Sequence, residues 1–270
     1  MSAGIIIQAR SGSERFPRKV LAELAGHSVL WHIIKRCFRA NIPNGKVVVA
    51  TSSLPQDDNV NMEALKSGAL VYRGSHSNVL KRYYDAATYY EIDPIIRVTG
   101  DCPFLDPKLL HRLYQTMHPG MGSEKGYDYV SIDAMGTYPN GMDAEIFRYK
   151  DLEKEYKRSK KQVVDSEVSK EHVSTRIKID PKLRRATIRY TGKPMPNMRL
   201  TLDYRQDLVV LKHIANALFS QNPYFGLDMI IDFMSEHPEI CQLNADLEDL
   251  GTDGRLYFGN TKGRKKREHT

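Results

Sequence analysis

The chain opens on an apolar run, Gly4-Ile5-Ile6-Ile7, which passes without a spacer into Gln8-Ala9-Arg10-Ser11-Gly12-Ser13-Glu14-Arg15-Phe16-Pro17-Arg18-Lys19. A short β-branched run is a strand buried on both faces. The segment after it is small, polar and basic. That sequence of strand and loop is how nucleotide-binding α/β folds begin. Backbone N–H groups of such a loop can cradle a polyphosphate, and Arg10, Arg15, Arg18 and Lys19 can clamp it with fixed charge. The loop lacks Gly-Lys-Ser/Thr and lacks G-x-G-x-x-G, so neither a P-loop ATPase nor a dinucleotide enzyme is supported. The alternative reading is a basic loop that is merely solvated.

The rest of the first half alternates between two periods. Strands are expected at 5–7, 46–50, 69–72 and 94–98. Helices are expected at 29–39, 57–67 and 79–90, the last capped by Ser77 or Asn78, with another starting at Pro107. Strands that alternate with helices predict an α/β fold with a mostly parallel sheet and crossover connections. After about Pro119 the pattern changes. Strands are expected at 127–132, 143–147, 185–190 and 198–202. Helices are expected at 150–160, 167–178, 203–219 with Asp203 as cap, and 227–235. No internal repeat is visible. The reading is one mixed α/β domain over 1–250, embellished at about 120–190, with a basic and disordered tail at 251–270.

Composition bounds the class. The chain has 270 residues and is 41% apolar, enough for one sizeable core. No run approaches the roughly 18 apolar residues of a membrane span, and the N-terminus does not read as a secretory signal. Cys37, Cys102 and Cys241 are few, odd in number and far apart. They predict neither a disulfide framework nor a metal site, and a cytoplasmic location fits. The net charge of +7 is concentrated in part in Lys262-Gly263-Arg264-Lys265-Lys266-Arg267 and in 154–161. Such runs are usually solvated. Nucleic-acid binding is not expected, because no aromatics interleave with the basic residues and no binding motif occurs.

Two acidic positions fall where chemistry is expected. Thr99-Gly100-Asp101-Cys102-Pro103 follows directly on the strand at 94–98. In open α/β sheets, ligands bind outside the carboxyl ends of strands. Asp101 can hold Mg²⁺ through one or two oxygens, or can cap the next turn. Asp203 ends a predicted strand and opens a predicted helix, and Asp207 lies four residues on, on the same helix face. Asp203 suits both a cap and a metal ligand; Asp207 suits a structural role. Asp143 and Glu145 alternate along a strand and share one face. Cys102 has no adjoining His to activate it and reads as a small buried residue. Tyr83, Tyr84, Tyr89 and Tyr90 read as the core or rim of one helix.

Six segments together resemble the SpsF-type cytidylyltransferases, relatives of the CMP-sialic acid and CMP-Kdo synthetases. They are the loop from Ile6 to Lys19; Arg73-Gly74-Ser75 with Val79-Leu80-Lys81-Arg82-Tyr83; Arg97 to Pro103; Tyr138-Pro139-Asn140-Gly141-Met142-Asp143-Ala144-Glu145; Glu171-His172-Val173; and Leu200-Thr201-Leu202-Asp203. They stand in family order over about residues 4–215. The resemblance implies a GT-A-like, three-layer nucleotidyltransferase fold with a mixed, mostly parallel sheet. It implies CTP as one substrate and a sugar-like acid as the acceptor, for surface polysaccharide. It implies catalytic roles for Arg10, Lys19, Asp101 and Asp203, with Asp101 and Asp203 holding Mg²⁺ or Mn²⁺. Gln8, Ala9, Arg10, Ser11, Gly12, Arg15, Lys19, Arg73, Arg82, Thr99 and Gly100 would contact the nucleotide. Asp143, Glu145, Glu171 and His172 would face the acceptor. A homodimer is implied through the region 138–178. The chain departs from the family at three places: Arg18 stands where Gly is usual, Asn78 where Asp is common, and Lys81 where an acid is common. A GT-A glycosyltransferase that consumes a nucleotide sugar is the competing enzyme reading.

Overall fold

The computed structural model describes residues 1–118, 126–134, 136–161 and 173–247. Glu171, His172, the tail at 251–270 and most of the helix expected at 167–178 lie outside the described residues.

The strands in chain order are β1 (Ser2–Gln8), the small hairpin β2 (Glu23–Leu24) and β3 (His27–Ser28), β4 (Lys46–Ser52), β5 (Leu70–Gly74), β6 (Ile92–Thr99), β7 (Tyr129–Ile132), β8 (Ala144–Phe147) and β9 (Arg185–Ile188). The helices are α1 (Val29–Arg39), α2 (Asp58–Lys66), α3 (Val79–Tyr89), α4 (Pro107–Met117), α5 (Tyr149–Ser159), α6 (Thr175–Ile179), α7 (Arg205–Leu218), α8 (Leu227–Glu236) and α9 (Pro238–Gln242). Among the described residues, seven strands form one sheet in the order β5-β4-β1-β6-β8-β7-β9. Only β8 runs against the others, pairing antiparallel with both β6 and β7. The fold is thus α/β, with a mixed, mostly parallel central sheet between two helical layers.

The all-Ile run of β1 is explained by its place. It pairs parallel with β4 on one side and β6 on the other, so both edges and both faces are covered. Ile5 and Ile7 pack into the core shared with α1, α4, α7 and α8. Ile6 points the other way, into the core under α3 and α5. Tyr83 of α3 is fully buried there and donates its hydroxyl to the Ile6 carbonyl at 3.1 Å and the Val98 carbonyl at 3.3 Å. A tyrosine hydroxyl buried in a core finds such a partner or costs stability. Asn78 caps α3, accepting from the Lys81 amide at 2.7 Å.

The register aligns the strand exits. Gln8 lies opposite Ala50 and Thr99, Ser52 opposite Gly74, and Val98 opposite Ala144. The loops that leave β1, β4, β5 and β6 therefore crowd one edge of the sheet, beside the start of β8.

One expected strand is absent. Residues 198–202 make no ladder; they form a single bridge from Arg199 to Asn140, and run extended beneath the loops at that edge. The Leu200 amide donates to Asn140 at 2.7 Å, and the Leu202 amide to Asp101 at 2.8 Å. Met198, Leu200 and Leu202 are buried, which is why the segment reads as a strand. Its backbone is satisfied by loops instead. Nor does Asp203 lie on a helix face with Asp207: α7 starts at Arg205 with Tyr204 as N-cap.

Gly141 permits this packing. Its φ is 102°, and a Cβ there would meet the Leu200 carbonyl carbon at 2.4 Å. Gly141→Ala should lower stability by at least about 1–3 kcal/mol, the range for a residue held in a sparsely populated conformation. A urea midpoint equal to that of the unmodified protein would show that the close approach is not needed.

Candidate active site

Three segments far apart in sequence meet at the crowded edge. Lys19 begins a short 3-10 turn, Lys19–Leu21, at the end of the basic loop. Asp101 leaves β6. Asp203 precedes α7. The Lys19 ammonium donates to Asp101 Oδ2 at 3.0 Å and to Asp203 Oδ1 at 2.9 Å. Arg15 donates to the same Asp203 Oδ1 at 2.9 Å, and its guanidinium lies 5.0 Å from the centre of the Tyr204 ring. Arg199 takes the other oxygen, Asp203 Oδ2, at 3.0 Å.

The electrostatics follow from this geometry. Burial pulls the Lys19 ammonium down, but the charges of Asp101 and Asp203 outweigh it and hold its pKa above the ordinary value. Burial pushes the Asp101 carboxyl up; Lys19 and a hydrogen bond from Thr99 outweigh that and hold it below the ordinary value. Asp143 goes the other way. Burial, reinforced by the Asp101 charge, raises its pKa against the opposing hydrogen bond from the Gly141 amide at 3.0 Å.

The loop itself is built on Ser11 and Asp57. The Ser11 carbonyl accepts from the Ser13 amide at 3.0 Å and the Arg18 amide at 2.9 Å, closing the loop on itself. The Ser11 amide donates to Asp57 Oδ1 at 2.6 Å, and the Ser52 hydroxyl donates to Asp57 Oδ2. Asp57 is fully buried. Arg18 has φ 61° and ψ 20°, the left-handed region that glycine occupies readily and other residues reach at a cost of about 1–2 kcal/mol. Arg18 thus takes a conformation that glycine, the residue the resemblance leads one to expect here, adopts without strain. Gly100 sets the distance between β1 and β6: a Cβ there would come within 2.7 Å of the Gln8 carbonyl. An open depression of about 400 Å³ lies against the loop, walled by residues that include Ser11, Gly12, Arg18 and Gln56. Lys19, Asp101 and Asp203 are not in its wall.

The other expected residues are placed as follows. Arg82 is buried and donates to the Ser75 carbonyl at 2.5 Å; burial lowers its pKa. Arg73 donates to the Ser52 and Leu54 carbonyls at 3.2 and 3.0 Å and pairs with Asp58 at 2.7 Å. Both arginines therefore brace the neighbouring loops. The Thr99 hydroxyl lies 3.3 Å from the Cys102 sulfur, and Cys102 is buried with its thiol pKa pushed well up. Asp143 is half-buried at the edge. Glu145, two residues on, is committed to the sheet: it pairs with Arg97 at 2.9 Å and accepts from the Tyr129 hydroxyl at 2.6 Å and from Ser174. Arg97 also donates to the Gln8 side chain at 3.3 Å.

Among the described residues, no group of three or more His, Cys, Asp or Glu has metal-binding geometry. Two carboxylates on one cation are still what Mg²⁺ takes from a protein when phosphate oxygens and water complete its shell. The Lys19 ammonium sits between two such hard oxygens, so Asp101 and Asp203 fit a divalent cation.

Residues 4–249 match the family model described as cytidylyltransferase. The chain belongs to the cytidylyltransferase family. The spore coat polysaccharide biosynthesis protein SpsF of Bacillus subtilis is 30% identical over 245 residues, 87% of this chain and 94% of that protein. A 3-deoxy-manno-octulosonate cytidylyltransferase of Brucella suis is 32% identical over 141 residues, 50% of this chain and 54% of that one. The structure of a cytidylyltransferase from Leptospira borgpetersenii superposes with a TM-score of 0.78 at 30% identity, covering 90% of this chain and 97% of that one. The family resemblance read from the motifs is therefore shown, and so is the fold class. No helix among the described residues is long and apolar enough to cross a membrane.

Asp57 and Arg199 escaped the sequence reading. In the sequence Asp57 is only the first residue of the helix expected at 57–67. Its link to the basic loop spans 46 residues and carries no local signal. Asp57→Ala should strand the buried Ser11 amide and lower stability by about 1–3 kcal/mol. Tryptic cleavage after Arg15 and Arg18 should become faster, and Asp57→Asn, which keeps an acceptor for Ser11, should recover most of both effects. Unchanged cleavage in Asp57→Ala would show that the loop holds its path without this anchor.

Proposed function

We propose that this protein transfers a cytidylyl group from CTP to a hydroxyl of an acidic sugar, releasing pyrophosphate, in the building of a surface polysaccharide. The observation that carries the reading is the Lys19 ammonium held between Asp101 and Asp203 at the mouth of the basic loop. It puts fixed positive charge and two hard carboxylates at one point of the sheet edge, where a triphosphate would lie. The names of the relatives support the reading: SpsF is named for spore coat polysaccharide biosynthesis, and the Brucella enzyme is named for cytidylyl transfer to a deoxyoctulosonate.

The reaction is a displacement at the α-phosphorus. The acceptor oxygen forms the new O–P bond, the bond from the α-phosphorus to the bridging oxygen breaks, and pyrophosphate leaves with that electron pair. Such a step asks the protein for position and charge neutralisation more than for covalent chemistry. Arg10, Arg15 and Lys19 supply charge toward the phosphate chain, with Gly12 offering backbone close to it and Ser11 holding the loop in place through Asp57. Asp101 and Asp203 would hold Mg²⁺ or Mn²⁺, which when bound neutralises phosphate charge. Asp143, just before β8, feels the Asp101 charge, and its raised pKa suits it to take the proton of the acceptor hydroxyl.

Pyrophosphate release measured with each of the four nucleoside triphosphates, Mg²⁺ and a panel of acidic sugars tests the reading. Release should require CTP and one class of acidic sugar. No release with any pairing, together with consumption of a ready-made nucleotide sugar, would replace it with the glycosyltransferase reading. Lys19→Ala at saturating CTP should slow turnover about tenfold to a hundredfold, since one charge contact to a developing anion is worth about 1.4–3 kcal/mol. Turnover near that of the unmodified enzyme would remove Lys19 from the mechanism.

A further inference from the structure

Asp203 owes its orientation to a buried network that lies away from the chemistry. Its two oxygens are divided. Oδ1 receives Lys19 and Arg15, both from the basic loop. Oδ2 receives Arg199, from the extended segment behind it. Arg199 is 7% exposed, and its Nε donates to Asp207 Oδ1 at 3.0 Å. Asp207 has no exposed surface, and its Oδ2 accepts from the amides of Asp203 and Tyr204 at 2.8 and 2.9 Å. Asp207 thus fixes both the backbone of Asp203 and the guanidinium that holds its side chain. A buried carboxylate beside a buried guanidinium keeps this geometry only while its remaining lone pairs are met.

Asn244 meets them. It is 2% exposed and lies just beyond α9, in a segment seated by the buried Ile240 and Cys241. Its amide Nδ2 donates to Asp207 Oδ1 at 2.9 Å and to the Arg199 carbonyl at 3.1 Å. One side chain from the C-terminal helices therefore bridges both members of the pair. We propose that Asn244 is a positioning residue for the reaction: through Asp207 and Arg199 it keeps Asp203 Oδ2 occupied and presents Oδ1 as the oxygen that exchanges Lys19 for a divalent cation. The inference rests on the reading of Asp203 as a cation ligand.

The physical reason is the placement of the donors. Lys19 and Arg15 belong to the loop and have phosphate to turn to when a nucleotide arrives. Arg199 is tied into the buried pair and does not. A carboxylate with one oxygen permanently engaged offers one oxygen in a fixed direction, and groups that orient metal ligands typically carry a tenfold to hundredfold effect on affinity or activity.

The test compares Asn244→Leu, which keeps the shape and removes the donors, with Asn244→Asp, which sets an acceptor against the Asp207 carboxylate, and with Asn244→Ser as a milder change. Mn²⁺ binding is followed by loss of the free-ion paramagnetic resonance signal, with and without CTP. Thermal melting and steady-state kinetics are measured on the same preparations. Positioning predicts folded variants whose Mn²⁺ affinity falls about tenfold, in the order Ser, Leu, Asp, with kcat falling alongside and KM for CTP nearly unchanged. If Asn244→Leu does not fold, the Ser variant carries the same comparison. Variants that melt lower but bind Mn²⁺ as the unmodified enzyme does would overturn the proposal, leaving Asn244 a packing residue. Absence of Mn²⁺ binding in the unmodified enzyme would instead remove Asp203 as a cation ligand and with it the reading on which the proposal stands.

Discussion

The ammonium of Lys19 joins the basic loop to Asp101 and Asp203, at 3.0 and 2.9 Å. Without a cation, two carboxylates brought together at a sheet edge repel each other and lose solvation. With Lys19 between them, the same closeness becomes favourable. The pKa of Lys19 rises and that of Asp101 falls, each by the other's charge. The arrangement also explains why the edge is built from so many loops. Three charged segments must end within hydrogen-bonding distance: Lys19 and Asp101 follow parallel strands that share a register, and Asp203 is brought to them by the extended segment at 198–202.

The two acids at the start of β8 illustrate how local position decides chemistry. Asp143 and Glu145 are two residues apart. Asp143 lies just outside the ladder, where burial and Asp101 raise its pKa. Glu145 lies inside it, opposite Arg97 on β6, and is held by Arg97, Tyr129 and Ser174. Its pKa is lowered, burial being outweighed by the Arg97 charge and these hydrogen bonds. One acid is left responsive and the other is consumed by the sheet. The Arg97 contact to Gln8 ties that second network to the strand that launches the basic loop.

Much of the fold could be read from pattern. Ile5 to Ile7, the run at 46–50 and the helix at 79–90 have strong periods and clear neighbours, and each lies in the element expected of it. The extended segment at 198–202 did not follow. Its alternating Met198, Leu200 and Leu202 look like a strand because burial on one side has the same period whether the partner is a ladder or a loop. The helix start was misplaced for a related reason. Asp203 and Asp207 both look like caps, and only the backbone path assigns the capping contact to Asp207 and leaves the Asp203 side chain to Lys19, Arg15 and Arg199.

Sequence alone determined the family, the alternating α/β plan and the residue types at the site, because these depend on short motifs and local hydrophobic periods. Tertiary structure decided which groups meet. Lys19 finds Asp203 across 184 residues, Ser11 finds Asp57 across 46, and Asn244 finds Asp207 across 37. Such contacts are set by strand register and by the paths of loops, and a side chain that is one partner of a long-range hydrogen bond carries no mark of it in its neighbours along the chain.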